Sequence, residues 1–115
     1  MKIPVRTTPA LRALCLFAFA FTTLYIFFYD APPGPPQRFG DKVVHAVVYG
    51  GMAFMLWLGL AKRWAVGVFL VLLAIGAGDE IHQSFTPGRF ADPLDLLADL
   101  VGAAVVLLIS KRVIV

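Results

Sequence analysis

Four long apolar stretches divide this chain of 115 residues, and polar residues gather between them. The pattern predicts helices over about 11–29, 43–61, 64–85 and 94–110. Each stretch is close to the roughly 20 residues that a helix needs to cross a bilayer core of about 30 Å. Short connections favour antiparallel neighbours. We therefore predict an all-α integral membrane protein, an antiparallel bundle of four transmembrane helices that forms one membrane domain over residues 1–115.

Turn and capping signals mark the ends of these helices. Prolines and glycines fill the segment 30–40, which predicts an extended connection because proline cannot continue helical hydrogen bonding. Asp41 is predicted to cap the second helix, and Asp92-Pro93 to start the fourth. Small residues recur four positions apart, as in Ala46 and Gly50, and this spacing is typical of close helix contact in lipid.

Composition supports membrane residence. The chain is 60% hydrophobic and 15% charged, with a mean hydropathy of +0.85, which is too apolar for a soluble domain of this size. The net charge is +3, but the basic residues form no dense patch, so nucleic acid is not an expected partner. Cys15 is the single cysteine, which excludes an intrachain disulfide, and we expect it to be a small core residue.

The first apolar stretch has one alternative interpretation, a cleaved signal peptide. A basic start and an apolar middle are common to both. We favour a retained helix because the uncharged run from 13 to 29 is long for a signal core, ends in bulky aromatics and precedes no A-x-A pattern.

The distribution of Lys and Arg predicts the orientation. Seven of these residues lie at the two termini and in the turn between the second and third helices, against three in the other two connections. The excess places both termini in the cytoplasm. The proline segment and the connection around Arg89 would then face the extracytoplasmic side.

This topology brings the polar residues of three distant stretches to one membrane level. Such residues are costly near lipid and by default indicate a functional site. Spacings within helices agree with this, because Asp41, His45 and Tyr49 share one face of the second helix, and Asp79, His82 and Gln83 share one face of the third. The candidate site residues are Asp41, His45, Tyr49, Asp79, Glu80, His82, Gln83, Arg89, Asp95 and Asp99.

Two motifs within this set resemble the VanZ-like family of small bacterial membrane proteins. The first is Asp41-Lys42-x-x-His45-x-x-x-Tyr49. The second comprises Glu80-x-x-Gln83, Pro87-Gly88-Arg89, Asp95, a polar residue at 99 and Gly102. The similarity covers about residues 38–108. It implies membrane residence, an effect on the cell envelope and a link to teicoplanin susceptibility.

Four interpretations of the polar residues remain open: ligand binding, catalysis, a metal site and closure of the helix bundle. The favoured one is binding of an envelope lipid head group or peptidoglycan precursor, with Arg89 as anion contact, Gln83 as donor and Asp41, Tyr49, Asp79 and Asp99 around the ligand. The alternative is a hydrolase or transferase acting on a lipid or lipid-linked glycan. His45 and His82 would then be its acid/base groups, and Glu80 and Asp95 would orient them.

A cofactor is not required by the sequence, but a divalent metal such as zinc or manganese would find ligands in His45, His82, Glu80, Asp95 and Asp99. In the last interpretation the polar residues only close the bundle. Asp41 and Asp92 cap helices, Arg89 pairs with Glu80 or Asp95, and His45 is satisfied by Tyr49 or a carboxylate.

Overall fold

The computed structural model describes residues 1–29, 39–87 and 91–115, and these form four helices: α1 (Pro9–Phe28), α2 (Phe39–Gly59), α3 (Ala65–Ser84) and α4 (Pro93–Val113). Each is long and apolar enough to cross a membrane. The predicted all-α bundle of four helices is confirmed, and all four helices are candidates to span a membrane. α1 and α4 both begin with a capping residue followed by proline. The side chain of Thr8, before Pro9, accepts a hydrogen bond from Leu11 N, and the side chain of Asp92, before Pro93, accepts one from Leu94 N.

Two helices are longer than predicted. α2 begins at Phe39 rather than near 43, so Asp41 lies in its first turn and the prediction that Asp41 is the N-cap is wrong. A carboxylate there still interacts favourably with the positive end of the helix dipole. α4 continues past 110 to Val113, with Lys111 and Arg112 in its last turn, where cations suit the negative end of the dipole.

A tight turn joins α2 to α3. Lys62 N donates to Trp57 O at 2.8 Å and Ala61 N to Leu58 O at 3.0 Å, which closes the end of α2. Ala61, Lys62 and Trp64 have φ angles of 59°, 62° and 63°, in the left-handed region that side chains rarely adopt. The turn therefore depends on contacts that compensate for local strain.

One such contact ties this turn to both ends of the chain. The Lys62 ammonium group donates to the carbonyl oxygens of Val5 and Val115. Ile3 and Ile114 form a parallel bridge beside it. The two termini and the α2–α3 turn therefore share one end of the bundle, so α2 begins, α3 ends and α4 begins at the opposite end.

Small residues let α2 and α4 approach closely. A Cβ atom added to Gly102 would lie 2.7 Å from the carbonyl carbon and Cα of Ala46, and one added to Gly50 would lie 3.2 Å from the Gly102 oxygen. Backbone meets backbone at this crossing, as the four-residue spacing predicted.

The core lies between α2, α3 and α4, whereas α1 packs at the periphery. Tyr49, Leu72 and Val68 are among the fully buried side chains. Cys15 is the buried residue of α1 and packs in the core, as expected. The other large apolar side chains of α1 are mostly exposed, which is the arrangement expected where lipid covers a helix.

Candidate functional site

The polar ends of α2, α3 and α4 form one connected group, which we call the polar cup. Its members are Asp41, Lys42, His45, Tyr49, Asp79, Glu80, Gln83, Asp92, Asp95 and Asp99. His45 lies six residues after the start of α2, and Asp99 six residues after the start of α4. At 1.5 Å per residue both are about 9 Å inside the helix ends, which brings them to the same level.

A hydrogen bond between His45 and Asp99 lies at the base of the cup. His45 Nδ1 is 2.7 Å from Asp99 Oδ1, and Asp99 is completely buried. With Asp99 ionised, Nδ1 carries the proton and donates it, so the neutral imidazole has its lone pair on Nε2. The buried carboxylate therefore fixes both the orientation and the tautomer of the ring.

The other ring nitrogen faces two more carboxylates. His45 Nε2 lies 3.8 Å from Asp41 Oδ1 and 3.9 Å from Asp95 Oδ2, both beyond hydrogen-bond distance. The three groups come from two helices and converge because α2 and α4 cross nearby. They leave a small space bounded by one nitrogen and two oxygen atoms.

Lys42 joins the carboxylates at the rim. Its ammonium group is 2.6 Å from Asp92 Oδ2 and also donates to Asp95 Oδ1. This ion pair lowers the pKa of the Asp92 carboxyl below its usual value, and the hydrogen bond from Leu94 N has the same effect. Lys42 was not among the candidate site residues, although it stands one turn before His45, where i, i+3 spacing puts both on one face.

α3 contributes two buried carboxylates. Glu80 Oε2 accepts a 2.8 Å hydrogen bond from the backbone N–H of Asp92, which ties the end of α3 to the start of α4. The second oxygen of Glu80 is buried and has no hydrogen-bond partner among the described residues. Gln83 donates to Asp79 at 3.3 Å, so the predicted orienting amide acts on a side chain of its own helix.

Tyr49 forms the inner wall of the cup. Its ring stacks on the imidazole of His45, with ring centroids 6.4 Å apart and planes 12° from parallel. Its hydroxyl group is buried without a hydrogen-bond partner in the described part of the chain, as is Asp99 Oδ2. Gly76 borders this region, because a Cβ there would lie 3.3 Å from Asp99 Oδ2 and 3.5 Å from the Tyr49 ring.

Negative charge exceeds positive charge in the described cup. Six of the seven carboxylates of the chain belong to it, namely Asp41, Asp79, Glu80, Asp92, Asp95 and Asp99. Within the described ranges, Lys42 and His45 are the cup residues that can carry positive charge. Uncompensated carboxylates are costly at low dielectric, so the cup favours protons or cations.

The two remaining candidate residues are His82 and Arg89. His82 is exposed and presents its ring edge-on to Phe27 of α1 at 6.2 Å, away from the contacts of His45. His82 was a candidate acid/base group together with His45, but the two imidazoles do not converge, because His82 is exposed and points away from the cup. Arg89 lies outside the described residues.

The comparisons with known proteins agree with this architecture. A profile of the family described as VanZ/LLP1 matches residues 3–114. The chain belongs to the VanZ/LLP1 family. The match extends beyond residues 38–108, where the motifs were noticed, and takes in α1 as well. The family therefore accounts for all four helices.

One uncharacterised relative also aligns along nearly the whole chain. An uncharacterised protein of Schizosaccharomyces pombe, C11E3.10, is 26% identical over 114 residues, covering 96% of this chain and 70% of its own. No solved structure matches the chain. The family match therefore identifies a VanZ/LLP1 protein, and the geometry of the cup indicates which chemistry it can support.

Proposed function

We propose that this VanZ/LLP1 protein binds the polar head group of an envelope lipid or lipid-linked precursor in the cup and hydrolyses or transfers part of it. The observation that carries the proposal is the buried Asp99–His45 pair, with Nε2 facing the space between Asp41 and Asp95. A histidine held by a carboxylate on one nitrogen is suited to proton transfer at the other. Residues that only held the helices together would not need a ring nitrogen facing two carboxylates without a hydrogen bond.

The chemistry assigns one role to each group. A water molecule or hydroxyl group attacks the head group and gives its proton to His45 Nε2, while Asp99 stabilises the resulting imidazolium. The bond to the leaving oxygen then breaks, and the same Nε2 returns the proton to that oxygen. Asp99 is a positioning residue here, because it acts through His45 and does not contact the substrate.

The depth of the site below the helix ends supports a lipid substrate. His45 and Asp99 lie about 9 Å inside the helix ends, a depth at which a head group meets the protein while its acyl chains stay among the helices. We propose that the cup faces the extracytoplasmic side of a bacterial cytoplasmic membrane. The support is the excess of Lys and Arg at the opposite end, which includes Lys62 and Arg63.

The test is turnover by the full chain in lipid nanodiscs. Nanodiscs made from an envelope lipid extract are incubated and their head groups followed by mass spectrometry. Wild type should release a product, His45→Ala should release none while retaining bound lipid, and Asp99→Asn should slow release by about 10²–10⁴-fold. His82→Ala is the matched control and should keep wild-type rates.

Two outcomes would contradict catalysis. If the wild-type protein binds lipid but converts none of the extract, the cup is a binding site without chemistry. If His45→Ala converts lipid at the wild-type rate, the histidine is structural. Either result would leave the family assignment unchanged.

We also propose that the cup influences teicoplanin susceptibility through the lipid it acts on. A sensitive bacterium expressing the wild-type chain should show a changed teicoplanin inhibitory concentration, and expression of His45→Ala should not. An equal change with both proteins would show that the effect does not pass through the cup.

A further inference from the structure

We propose that His45 Nε2, Asp41 and Asp95 together bind one divalent transition-metal cation at the mouth of the cup. The inference rests on the proposed function and deepens it, because the cation would let an acidic cup accept an anionic, phosphate-bearing head group. A metal on Nε2 would occupy the lone pair that otherwise accepts the proton, so in the metal-bound protein a metal-bound water would supply the nucleophile in place of a water activated by His45. The cation itself is testable without any substrate, so the two proposals can fail separately.

The ligand geometry is the first support. One ligand atom from each of the three residues lies within 4.8 Å of the others, and Nε2 is 3.8 and 3.9 Å from the two carboxylate oxygens. Zinc bonds of about 2.0–2.2 Å would bring such atoms roughly 3.0–3.5 Å apart. Asp41 is half-exposed and Asp95 is held at its other oxygen, so small side-chain movements close the remaining gap.

The hydrogen bond to Asp99 is the second support. Histidines that bind metals characteristically donate their other N–H to a carboxylate, which fixes the tautomer and increases the basicity of the ligating nitrogen. His45 donates Nδ1–H to the buried Asp99 at 2.7 Å and leaves Nε2 toward Asp41 and Asp95. Asp99 and His45 are therefore already arranged as the outer hydrogen-bond partner and the metal ligand.

A buried carboxylate oxygen without a hydrogen bond adds to the negative charge that surrounds the site. Glu80 is 8% exposed, and its Oε1 has no hydrogen-bond partner among the described residues. Glu80 interacts electrostatically with both His45 and Asp95, so it belongs to the same group of charges. A nearby divalent cation would offset the cost of burying this carboxylate. The single lysine at the rim cannot offset that cost for every carboxylate of the cup.

Lys42 has a complementary role in this arrangement. Its ammonium group bonds Asp95 Oδ1, which leaves Asp95 Oδ2 on the side of the imidazole. A lysine ammonium has no lone pair, so Lys42 orients a ligand without being one. One imidazole nitrogen with two carboxylate oxygens suits Zn²⁺ or Mn²⁺ better than Mg²⁺ or Ca²⁺, which prefer oxygen ligands alone.

Metal binding is measured on the full chain in nanodiscs of zwitterionic lipid, where lipid phosphates compete little. Zn²⁺ is titrated by calorimetry and Mn²⁺ by electron paramagnetic resonance. We expect one ion per chain, weakened at least 100-fold by His45→Ala and strongly by Asp41→Asn or Asp95→Asn. Asp99→Asn should weaken it about 10–100-fold, as loss of an outer partner does. His82→Ala should bind within twofold of wild type.

A second measurement needs no substitution. The chain has two histidines, so ¹⁵N-histidine labelling gives two imidazole environments. Added Co²⁺ should broaden the signals of His45 and leave those of His82 sharp. Equal broadening of both, an unaffected His45, or no bound Zn²⁺ or Mn²⁺ at millimolar concentration would overturn the metal site.

Combining this with the turnover assay separates the proposals. Lipid turnover that survives complete chelation, in a protein that binds no metal, would refute the metal site and leave the proposed function standing. Stoichiometric metal binding abolished by His45→Ala, without turnover of any envelope lipid, would support the site and refute the catalytic function.

Discussion

Replacing Gly102 with alanine should separate α2 from α4 and so disturb the cup from outside it. The added Cβ would lie 2.7 Å from two backbone atoms of Ala46 and closer still to its carbonyl oxygen. No rotamer change relieves a clash between a Cβ and backbone. The helices would have to move apart by roughly 1 Å to restore ordinary contact distances.

The size of the effect follows from this clash. One excess methyl group in a well-packed region costs about 1–3 kcal/mol of unfolding free energy, and rigid backbone on the opposing helix puts Gly102→Ala at the upper end of that range. Asp99 is less than one turn from Gly102, and His45 is next to Ala46. The 2.7 Å hydrogen bond between His45 and Asp99 should therefore lengthen or break.

Gly51→Ala is the matched control. It adds the same methyl group to α2, but nothing lies within 4 Å of the position, so no stability should be lost. Both variants are unfolded with SDS in mixed micelles and followed by far-UV circular dichroism. A Gly102→Ala variant as stable as Gly51→Ala would refute the backbone contact between α2 and α4.

Two further predictions concern charge and orientation. Lys42 lowers the pKa of Asp92, so the stability that this ion pair adds is present above the ordinary carboxyl pKa of about 4 and is lost as the pH falls through the lower pKa of the folded protein. Lys42→Met should therefore raise the pKa of Asp92 in a ¹³C-carboxyl NMR titration, and an unchanged pKa would exclude the ion pair. In a Cys15→Ser background, an impermeant maleimide added to intact cells should label Phe85→Cys and not Trp64→Cys, and the opposite pattern would reverse the proposed orientation.

The overall architecture could be predicted because it depends on properties that a sequence displays directly. Length and hydropathy determine which stretches can span a bilayer, and Asp92-Pro93 starts α4 as helix-capping rules require. The spacing of small residues also predicted close helix contact, although it did not show that α2 and α4 are the helices that meet. None of these inferences needs knowledge of which helix packs against which.

The details that sequence reasoning missed depend on tertiary contacts. The α2–α3 turn uses left-handed backbone at Ala61, Lys62 and Trp64, residues that carry no glycine signal for it. The start of α2 at Phe39 moved Asp41 from the cap into the first turn. His82 was expected to face inward because it follows Asp79 by three residues, but the rotation of α3 about its axis is set by packing and turns His82 toward Phe27.

Local spacing also did not identify the partners within the cup. His45 was expected to interact with a carboxylate or with Tyr49, and its hydrogen bond goes to Asp99, 54 residues away. Lys42 likewise pairs with Asp92 and Asp95 across the bundle. Such pairs are determined by which helices are adjacent, so a single sequence could indicate the polar level but not the pairing.

The most direct test of the cup is the ¹⁵N NMR spectrum of the two histidines in the full chain. His45 should show a proton fixed on Nδ1 by a strong hydrogen bond, and Asp99→Asn should shift its resonances while those of the exposed His82 stay unchanged. Two histidines with the same solvent-exposed signature, neither sensitive to Asp99→Asn, would contradict the buried pair from which the proposed function is argued.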